Sequence, residues 1–174
     1  MTEAAARGRI ILLNGVSSSG KTTLARSLAG ALPGFFPLCL DAFDDLVASM
    51  EDRQGGRLIP VATERFFHRT LLMFSDSGVS LVADHILHDE ATRSDFYETL
   101  RGREVLLVGL RCPLEEAERR ERERGDRPLG LARRQAAFVH RDEAYDLEMD
   151  TSRESVEACV ERIRARALGP WRRL

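Results

Sequence analysis

At residues 15–22 the chain reads Gly15-Val16-Ser17-Ser18-Ser19-Gly20-Lys21-Thr22, which matches the phosphate-binding pattern G-x-x-x-x-G-K-[ST] at every defined position. The apolar segment Ile10–Leu13 precedes this loop and predicts a buried strand. The segment Thr22–Ala29 follows it, with leucines four residues apart, and predicts a helix that ends before Pro33-Gly34. A strand, a glycine-containing loop and a helix in this order predict a binding site for the phosphates of a nucleotide.

The residue types in the loop each suit one part of this task. Glycine lets the backbone curl so that successive N–H groups point at phosphate oxygens, and the start of the helix adds its own N–H groups and the positive end of its dipole. Lys21, the one lysine among 26 basic residues, is expected to reach the β- and γ-phosphates. The hydroxyl of Thr22 is expected to ligate Mg²⁺, and Thr23 follows in the same turn. We therefore predict that residues 15–23 bind a nucleoside triphosphate with Mg²⁺.

Length and composition predict one compact domain that spans residues 1–174. A chain of 174 residues is long enough for one sizeable core and short for two. The net charge of −2 gives no reason to expect a nucleic acid or an anionic membrane as a partner. No apolar run approaches the roughly 18 residues of a membrane helix, and Met1–Arg9 lacks the apolar core of a signal peptide and is expected to fray. Three scattered cysteines without metal-ligand spacing suit a reducing cytoplasm, which is the expected location.

Strand-like and helix-like segments alternate along the chain, which predicts an α/β fold with a parallel sheet of about five strands and helices on both faces. The predicted strands are Ile10–Leu13, Phe36–Leu40, Val79–Ala83, Val105–Leu110 and Leu147–Met149. The predicted helices are Thr22–Ala29, Ala42–Met50, Thr63–Ser77, a stretch within Asp89–Leu100, Pro113–Arg124, Leu131–His140 and Ser155–Ala167. The glycine-containing segment Glu51–Pro60 is predicted to be a loop.

Two aspartates follow predicted strands. Asp41 comes at the end of the second strand and Asp84 at the end of the third. Because ligands of open α/β sheets bind beyond the carboxyl ends of the strands, both side chains should face the crevice that holds the phosphate loop. One carboxylate can accept the proton of an attacking hydroxyl, and one can hold Mg²⁺ directly or through water. The alternative for either residue is the N-cap of the following helix, a position that aspartate often takes.

Arginines are concentrated around a break in the helical pattern at Gly125–Gly130. Most of them alternate with glutamates in pairs that support a solvated helix. Arg127 is different, because it lies in the break itself. A mobile segment of this kind can close over a triphosphate and bring a guanidinium to the charge that develops on the transferred phosphoryl group.

Three of these features together resemble the small P-loop kinases: the phosphate loop, Asp41 after the second strand, and Arg124-Gly125-Asp126-Arg127. The run Gln135–His140 and the segment Tyr145-Asp146-Leu147-Glu148-Met149-Asp150-Thr151 are similar to one branch of them, the chloramphenicol phosphotransferase-like proteins. The resemblance covers nearly the whole chain and implies a three-layer P-loop kinase fold with a small lid at about residues 125–131. It implies ATP-dependent O-phosphorylation of a small-molecule hydroxyl compound, foremost chloramphenicol or a related antibiotic, and with it antibiotic resistance.

The resemblance also implies individual roles. Asp41 would be the general base toward the acceptor hydroxyl, and Arg127 would contact the transferring phosphate. The residues implied for nucleotide binding beside the loop are Arg120, which would stack on the adenine, Arg124 and Thr151. The sequence does not distinguish a monomer from a homo-oligomer.

The chain departs from the family pattern after Asp84, where it has His85 instead of a second acidic residue. His85 and His88 are expected to line the acceptor pocket or to lie on the surface. A zinc site is the less favoured interpretation, because no distant group of histidines or cysteines completes a ligand set.

Three other functions compete with this interpretation. A GTPase would need the guanine-reading motif N-K-x-D, which is excluded because Asn14 and Lys21 are the chain's single asparagine and single lysine. A metabolic kinase for a sugar acid or a shikimate-like alcohol is the alternative within the kinases. A non-catalytic nucleotide-binding module is the remaining alternative, because function is argued from a site and not from a fold.

Overall fold

The computed structural model describes residues 6–51, 59–125 and 129–174 of the chain. Its central sheet contains five parallel strands, which are β1 (Ile10–Asn14), β2 (Phe35–Cys39), β3 (Ser80–His85), β4 (Glu104–Arg111) and β5 (Leu147–Asp150). They are arranged in the order β2-β3-β1-β4-β5. The predicted α/β architecture with about five parallel strands is therefore confirmed.

Helices cover both faces of this sheet. In the described residues they are α1 (Lys21–Ala31), α2 (Leu40–Met50), α3 (Thr63–Asp76), α4 (Glu90–Thr99), α5 (Leu114–Arg124), α6 (Leu131–Ala136) and α7 (Val156–Ala167). Side chains of α1 and α7 pack with Ile11 and Leu13 on one face of β1. Side chains of α3 and α4 pack with Ile10 and Leu12 on the other face. Because both faces are buried, the central strands read as continuous apolar runs instead of alternating ones.

The strand order places the phosphate-binding loop at the centre of the sheet's carboxyl edge. β1 lies between β3 and β4, so the chain turns to opposite sides of β1 in its successive crossovers. Such a switch point opens a crevice beyond the carboxyl ends of the strands, and the loop that leaves β1 leads directly into it.

Two element boundaries differ from the prediction, and both bear on candidate site residues. α2 begins at Leu40, so Asp41 lies in the first turn of this helix and not at the end of a strand. β3 continues to His85 because it pairs with β1 from Leu81 to His85, with Asn14 opposite His85. Asp84 is therefore a strand residue.

Three further segments differ from expectation. The predicted helix Leu131–His140 is wrong beyond Ala136, where α6 ends with Ala137 as its C-cap. His140, with a φ of 79°, lies in the left-handed region and is not helical. A short strand that the sequence pattern missed, β6 (Arg172–Arg173), pairs antiparallel with the start of β4. The expected fraying of Met1–Arg9 is wrong for Gly8, whose N–H donates to the carbonyl oxygen of Ser75 at 2.8 Å.

The loop predicted at Glu51–Pro60 and the predicted lid at residues 125–131 fall largely or partly on residues 52–58 and 126–128, outside the described residues. None of the helices in the described ranges combines the length and the apolarity needed to span a bilayer.

Candidate active site

Glycine is required at the two defining positions of the phosphate-binding loop for different physical reasons. At Gly15 a Cβ atom would lie 2.7 Å from the carbonyl oxygen of Leu110 and 2.7 Å from Ser19 Oγ, so the close approach of β4 requires glycine. Gly20 has a φ of 91°, in the left-handed region that glycine adopts without strain, and it directly precedes the first residue of α1. The motif is therefore required by packing at one end and by backbone conformation at the other.

Polar groups without partners line this loop. The hydroxyls of Ser17, Ser18 and Ser19 are buried and have no hydrogen-bond partner among the described residues. The first turn of α1 adds N–H groups that no carbonyl of the helix can satisfy. Buried donors are normally paired, and phosphate oxygens are acceptors that would pair these. The loop therefore fits the phosphates of a nucleotide.

Lys21 and Thr22, the first two residues of α1, direct their side chains to this loop and to β3. Lys21 Nζ donates to the carbonyl oxygen of Val16 at 2.8 Å, which holds the ammonium group against the loop. Thr22 Oγ1 donates to Asp84 Oδ2 at 2.5 Å. A hydroxyl and a carboxylate are the oxygen ligands that Mg²⁺ prefers, and Mg²⁺ usually takes only one or two protein ligands beside phosphate and water. The pair Thr22 and Asp84 therefore fits the predicted metal position.

Cys39 completes the surroundings of this carboxylate. Its Sγ lies 3.4 Å from Asp84 Oδ2. Burial, with a smaller contribution from the negative charge of Asp84, raises the pKa of the Cys39 thiol to about 11. The thiol is therefore protonated at neutral pH and can donate its hydrogen to the carboxylate.

Asp41 and Asp84 line the same cavity as Lys21 and Thr22, with a volume of about 360 Å³. The helix-capping alternative is wrong for both aspartates. The N-cap of α2 is Cys39, and Asp84 lies within β3. The cavity walls contain, from the predicted set, Ser18, Gly20, Lys21, Thr22, Thr23, Asp41, Asp84, Arg120, Arg124 and Thr151.

The predicted adenine-side residues are joined to the loop by hydrogen bonds. Arg120 Nη2 donates to the carbonyl oxygen of Thr151 at 2.9 Å, and Thr151 Oγ1 donates to the carbonyl oxygen of Ser19 at 2.8 Å. Arg120 is also held by Glu116, whose Oε1 accepts from Nε at 2.7 Å. The turn after β5 and the helix α5 thus meet at the phosphate loop.

Six wall residues of the cavity are not among those predicted for the site from the sequence, namely Leu24, Leu40, Ile86, Glu154, Val156 and Cys159. The amphipathic pattern of α7 assigns Val156 and Cys159 to its apolar face, and it does not distinguish a core position from a cavity wall. For Glu154 the only available signal is its place in the polar turn that follows β5.

The buried carboxylate of Glu121 binds the backbone at the carboxyl-terminal end of the predicted lid. Glu121 of α5 is 2% exposed, and its two oxygens accept from the N–H groups of Gly130 at 2.7 Å and Ala132 at 3.1 Å. Gly125 ends α5 in the left-handed conformation, with a φ of 66°. The start of α6 is thereby fixed to α5. Arg127 itself lies outside the described residues.

Residues 135–151 carry the most specific part of the sequence resemblance. Side chains of this segment form hydrogen bonds with the phosphate-binding loop and with the end of β1. Gln135 Oε1 accepts from the N–H of Ser17 at 2.6 Å. Asn14 Nδ2 donates to Tyr145 Oη at 2.8 Å, and Tyr145 Oη lies 2.6 Å from His140 Nδ1. The ring of Tyr145 occupies the space beside Gly109, where a Cβ would lie 2.8 Å from it. These long-range contacts could not be derived from local patterns.

The zinc interpretation of His85 and His88 is not supported by their contacts. His85 Nε2 lies 2.8 Å from His68 Nε2, whereas His88 contacts Asp89 and the carbonyl oxygen of Ile86. In the described part of the chain no group of three histidine, cysteine, aspartate or glutamate side chains is arranged to hold a metal ion.

The sequence profile of the chloramphenicol phosphotransferase-like proteins matches residues 8–168. A protein of Mycobacterium tuberculosis (strain H37Rv), whose own assignment as an O-phosphotransferase is a prediction, is 30% identical over 171 residues, which cover 83% of this chain and 76% of the relative.

Solved structures show the same architecture. A sugar kinase from Janibacter sp. HTCC2649, crystallised without ligand, superposes with a TM-score of 0.70 at 25% identity, over 92% of this chain and 94% of that one. The tunicamycin resistance protein of Deinococcus radiodurans superposes with a TM-score of 0.72 at 22% identity, over 95% and 98% of the two chains.

Proposed function

This chain belongs to the chloramphenicol phosphotransferase-like family, and from that membership we propose that it transfers the γ-phosphoryl group of ATP to a hydroxyl of a small molecule. Lys21 and the loop would bind the phosphates, and Arg120 and Thr151 would contact the adenine. Mg²⁺, held by Thr22 and Asp84, would neutralise charge on the β- and γ-phosphates.

One observation supports this proposal best. The side chains expected to bind phosphate, Lys21 and Thr22, share a cavity with the carboxylate expected to act on the acceptor, Asp41. Phosphoryl transfer requires a nucleophile and a γ-phosphate in line and protected from competing water, and it depends mainly on positioning and on electrostatic stabilisation. A nucleotide-binding module would need only the first of these two groups.

The reaction that we propose begins with an acceptor hydroxyl beside Asp41. Its carboxylate accepts the hydroxyl proton as the oxygen attacks the γ-phosphorus. The bond between the γ-phosphorus and the bridging oxygen of ADP breaks, and its electron pair remains on ADP. Lys21, and Arg127 from the lid, stabilise the charge on the phosphoryl oxygens during the transfer.

A second cleft, of about 830 Å³, shares the wall residues Thr22, Asp41, Asp84 and Arg124 with the cavity. Its charges indicate what kind of acceptor could bind beside Asp41. Four carboxylates and two guanidinium groups are among its described wall residues, which include Asp44, Asp45 and Arg26. Carboxylates accept hydrogen bonds from hydroxyls and repel anions. This balance favours a neutral or cationic hydroxyl compound.

We propose an antibiotic such as chloramphenicol as the acceptor, with resistance as the biological consequence. The family membership favours it, as does the fold shared with a tunicamycin resistance protein. The similarity to a sugar kinase supports the alternative, a metabolic kinase for a sugar acid or a shikimate-like alcohol. The acidic cleft argues against the carboxylate of a sugar acid.

A panel of acceptors tests this function. The purified protein, ATP and MgCl₂ are incubated with chloramphenicol, tunicamycin, gluconate or shikimate, and phosphorylated product and ADP are measured by mass spectrometry. We expect ADP formation that depends on the antibiotic and an equimolar phosphorylated product. Turnover of gluconate or shikimate alone would select the metabolic alternative. Nucleotide binding without acceptor-dependent ADP formation for every compound would overturn the proposal in favour of a binding module.

Arg127→Ala should lower kcat more than it weakens ATP binding. The guanidinium is proposed to act while charge is moving, and an arginine in this role contributes about 10³–10⁵-fold in P-loop NTPases. Single-turnover rates and nucleotide affinity, measured on the same preparation, separate the two effects. Arg122→Ala, which removes an exposed arginine of α5, is the matched control. A variant whose only defect is a raised KM for ATP would contradict the proposed role.

A further inference from the structure

Three buried polar side chains, Asp95, His68 and His85, form a hydrogen-bonded series that runs from α4 through α3 to the cavity wall at the end of β3. His68 of α3 is fully buried, and its Nδ1 lies 2.7 Å from Asp95 Oδ2 of α4. His68 Nε2 lies 2.8 Å from His85 Nε2, at the end of β3. His85 is 1% exposed and forms part of the cavity wall. The proposed mechanism uses none of these three side chains.

The donors and acceptors available in this series determine which ring nitrogen of His68 and of His85 carries a proton. A carboxylate only accepts, so His68 must carry its proton on Nδ1 to donate to Asp95. A neutral His68 then has a bare Nε2 that accepts, and His85 must supply the proton from its own Nε2. His85 is thereby left with a lone pair on Nδ1.

Both rings are neutral in this arrangement, which agrees with their surroundings. Burial lowers the pKa of His68 in spite of the opposing effect of Asp95. His85 is 1% exposed, and burial of this degree disfavours the charged form of an imidazole ring. Arg65 Nε lies 3.7 Å from Asp95 Oδ1, and Arg69 Nη1 lies 3.2 Å from Asp95 Oδ2. Against the effect of burial, the hydrogen bond with His68 and, after it, the neighbouring Arg69 lower the pKa of Asp95, so that Asp95 is an ionised hydrogen-bond acceptor for His68.

The Nδ1 atom of His85 is buried and has no hydrogen-bond partner among the described residues. A buried acceptor without a partner destabilises a protein, so a ring needed only for packing would have no reason to carry one. Phe67 and Phe96 already pack against the two rings edge-on or tilted, and a phenyl ring could fill the same space. Packing therefore accounts for the ring of His85 but not for its unsatisfied Nδ1 atom.

We propose that His85 Nδ1 is a specificity-determining contact for the acceptor: it accepts a hydrogen bond from a hydroxyl or amide N–H of the acceptor other than the hydroxyl that is phosphorylated. Asp95 and His68 are positioning residues, because they fix the tautomer that presents this lone pair. The inference rests on the proposed function and names a property of its acceptor, a second hydrogen-bond donor. An acceptor with one hydroxyl and no other donor would be a poor substrate.

The tautomer can be tested without any acceptor. Protein labelled with ¹⁵N at histidine should show His85 Nδ1 at the chemical shift of an unprotonated, pyridine-type nitrogen, and Nε2 at that of a protonated one. His68→Phe removes the acceptor of the Nε2 proton and should mix the two tautomers of His85. A protonated Nδ1 in the unaltered protein would overturn the inference and would leave the proposed function untouched.

The contact to the acceptor is tested with paired variants and paired substrates. Chloramphenicol is compared with analogues in which each donor other than the phosphorylated hydroxyl is methylated in turn; if the panel identifies tunicamycin, gluconate or shikimate instead, the same modification is made on that compound. We expect one methylated analogue to lose about tenfold in kcat/KM, which corresponds to one hydrogen bond. His85→Phe should lose the same factor on the unmodified compound and be insensitive to that methylation.

Two further variants separate the contact from a general structural effect. His85→Asn places an amide oxygen near the position of Nδ1 and should recover part of the acceptor KM that His85→Phe loses. His88→Asn alters a partly exposed histidine three residues away and should leave the acceptor KM unchanged. The KM for ATP should not move in any of them. Equal losses on every analogue, or an unchanged acceptor KM in His85→Phe, would overturn the inference, whereas absence of turnover on the whole panel would overturn the proposed function and this inference with it.

Discussion

Lys21→Ala is expected to reduce phosphoryl transfer by about 10²–10³-fold, the loss that follows removal of one charge-stabilising donor from an active site. The ammonium is a compact point charge beside the phosphate loop, and its effect should be greatest in the transition state, where negative charge moves onto the bridging oxygen and the transferred group. kcat and kcat/KM should therefore fall together. Acceptor-dependent ADP formation under saturating ATP measures the loss.

The fold should survive this substitution. The contact that Lys21 makes with the Val16 carbonyl oxygen is a single hydrogen bond, and one such bond contributes about 1 kcal/mol. Thermal unfolding should show a shift of a few degrees at most. Lys21→Arg is the matched control, because it keeps the charge and changes its shape and reach, and it should be intermediate in activity. Near-normal turnover by a folded Lys21→Ala protein would rule out the proposed role of the loop.

The parts of the site that lie next to each other in sequence could be predicted well. The phosphate loop follows from Gly15, Gly20 and Lys21 because the motif is local: one glycine avoids a clash with β4, and the other takes a positive φ. The parallel sheet follows from the continuous apolar runs of β1 and β4, since only strands covered on both faces lack polar alternation.

Element ends were less predictable, because propensity does not decide between adjacent residues. Leu40 continues an apolar run, which predicts that it belongs to β2, yet it begins α2, so that Asp41 lies in the first turn of that helix. The apolar pattern predicts that β3 ends before Asp84, and aspartate is rare in strands. Pairing with β1 on one side and the hydrogen bond from Thr22 outweigh that preference.

Contacts between distant residues could not be predicted from local pattern at all. The hydrogen bond between Gln135 and the loop spans 118 residues, and the bond between Thr151 and Ser19 spans 132. The hydrogen-bonded series Asp95, His68 and His85 is not predictable for the same reason. His68 and Asp95 lie on different helices, and only the packing of α3 against α4 brings them together. Resemblance to a family located the segment around Gln135 but gave it no physical role.

Asp41→Asn is the substitution on which the kinase proposal most depends. An alcohol is a weak nucleophile at neutral pH, so a carboxylate that accepts its proton should speed the transfer by about 10²–10⁴-fold. Asparagine keeps the size and the planar shape of aspartate and cannot accept the proton. We expect the variant to bind ATP·Mg²⁺ almost normally and to lose acceptor turnover by that factor. Nucleotide affinity, the Mg²⁺ dependence and acceptor turnover are measured on the same preparation.

Two other roles of Asp41 predict different results for the same variant. If its charge served only to stabilise the start of α2, where it lies in the first turn, asparagine would cost about 0.3–1 kcal/mol of helix stability and leave turnover intact. If it were chiefly a ligand of Mg²⁺, activity should return in part at high Mg²⁺ or with Mn²⁺. Asp45→Asn is the matched control, since Asp45 lies on the same helix and lines the neighbouring cleft, one helical turn beyond Asp41. Full activity of Asp41→Asn would exclude the general base, because asparagine cannot take up the proton of the acceptor hydroxyl.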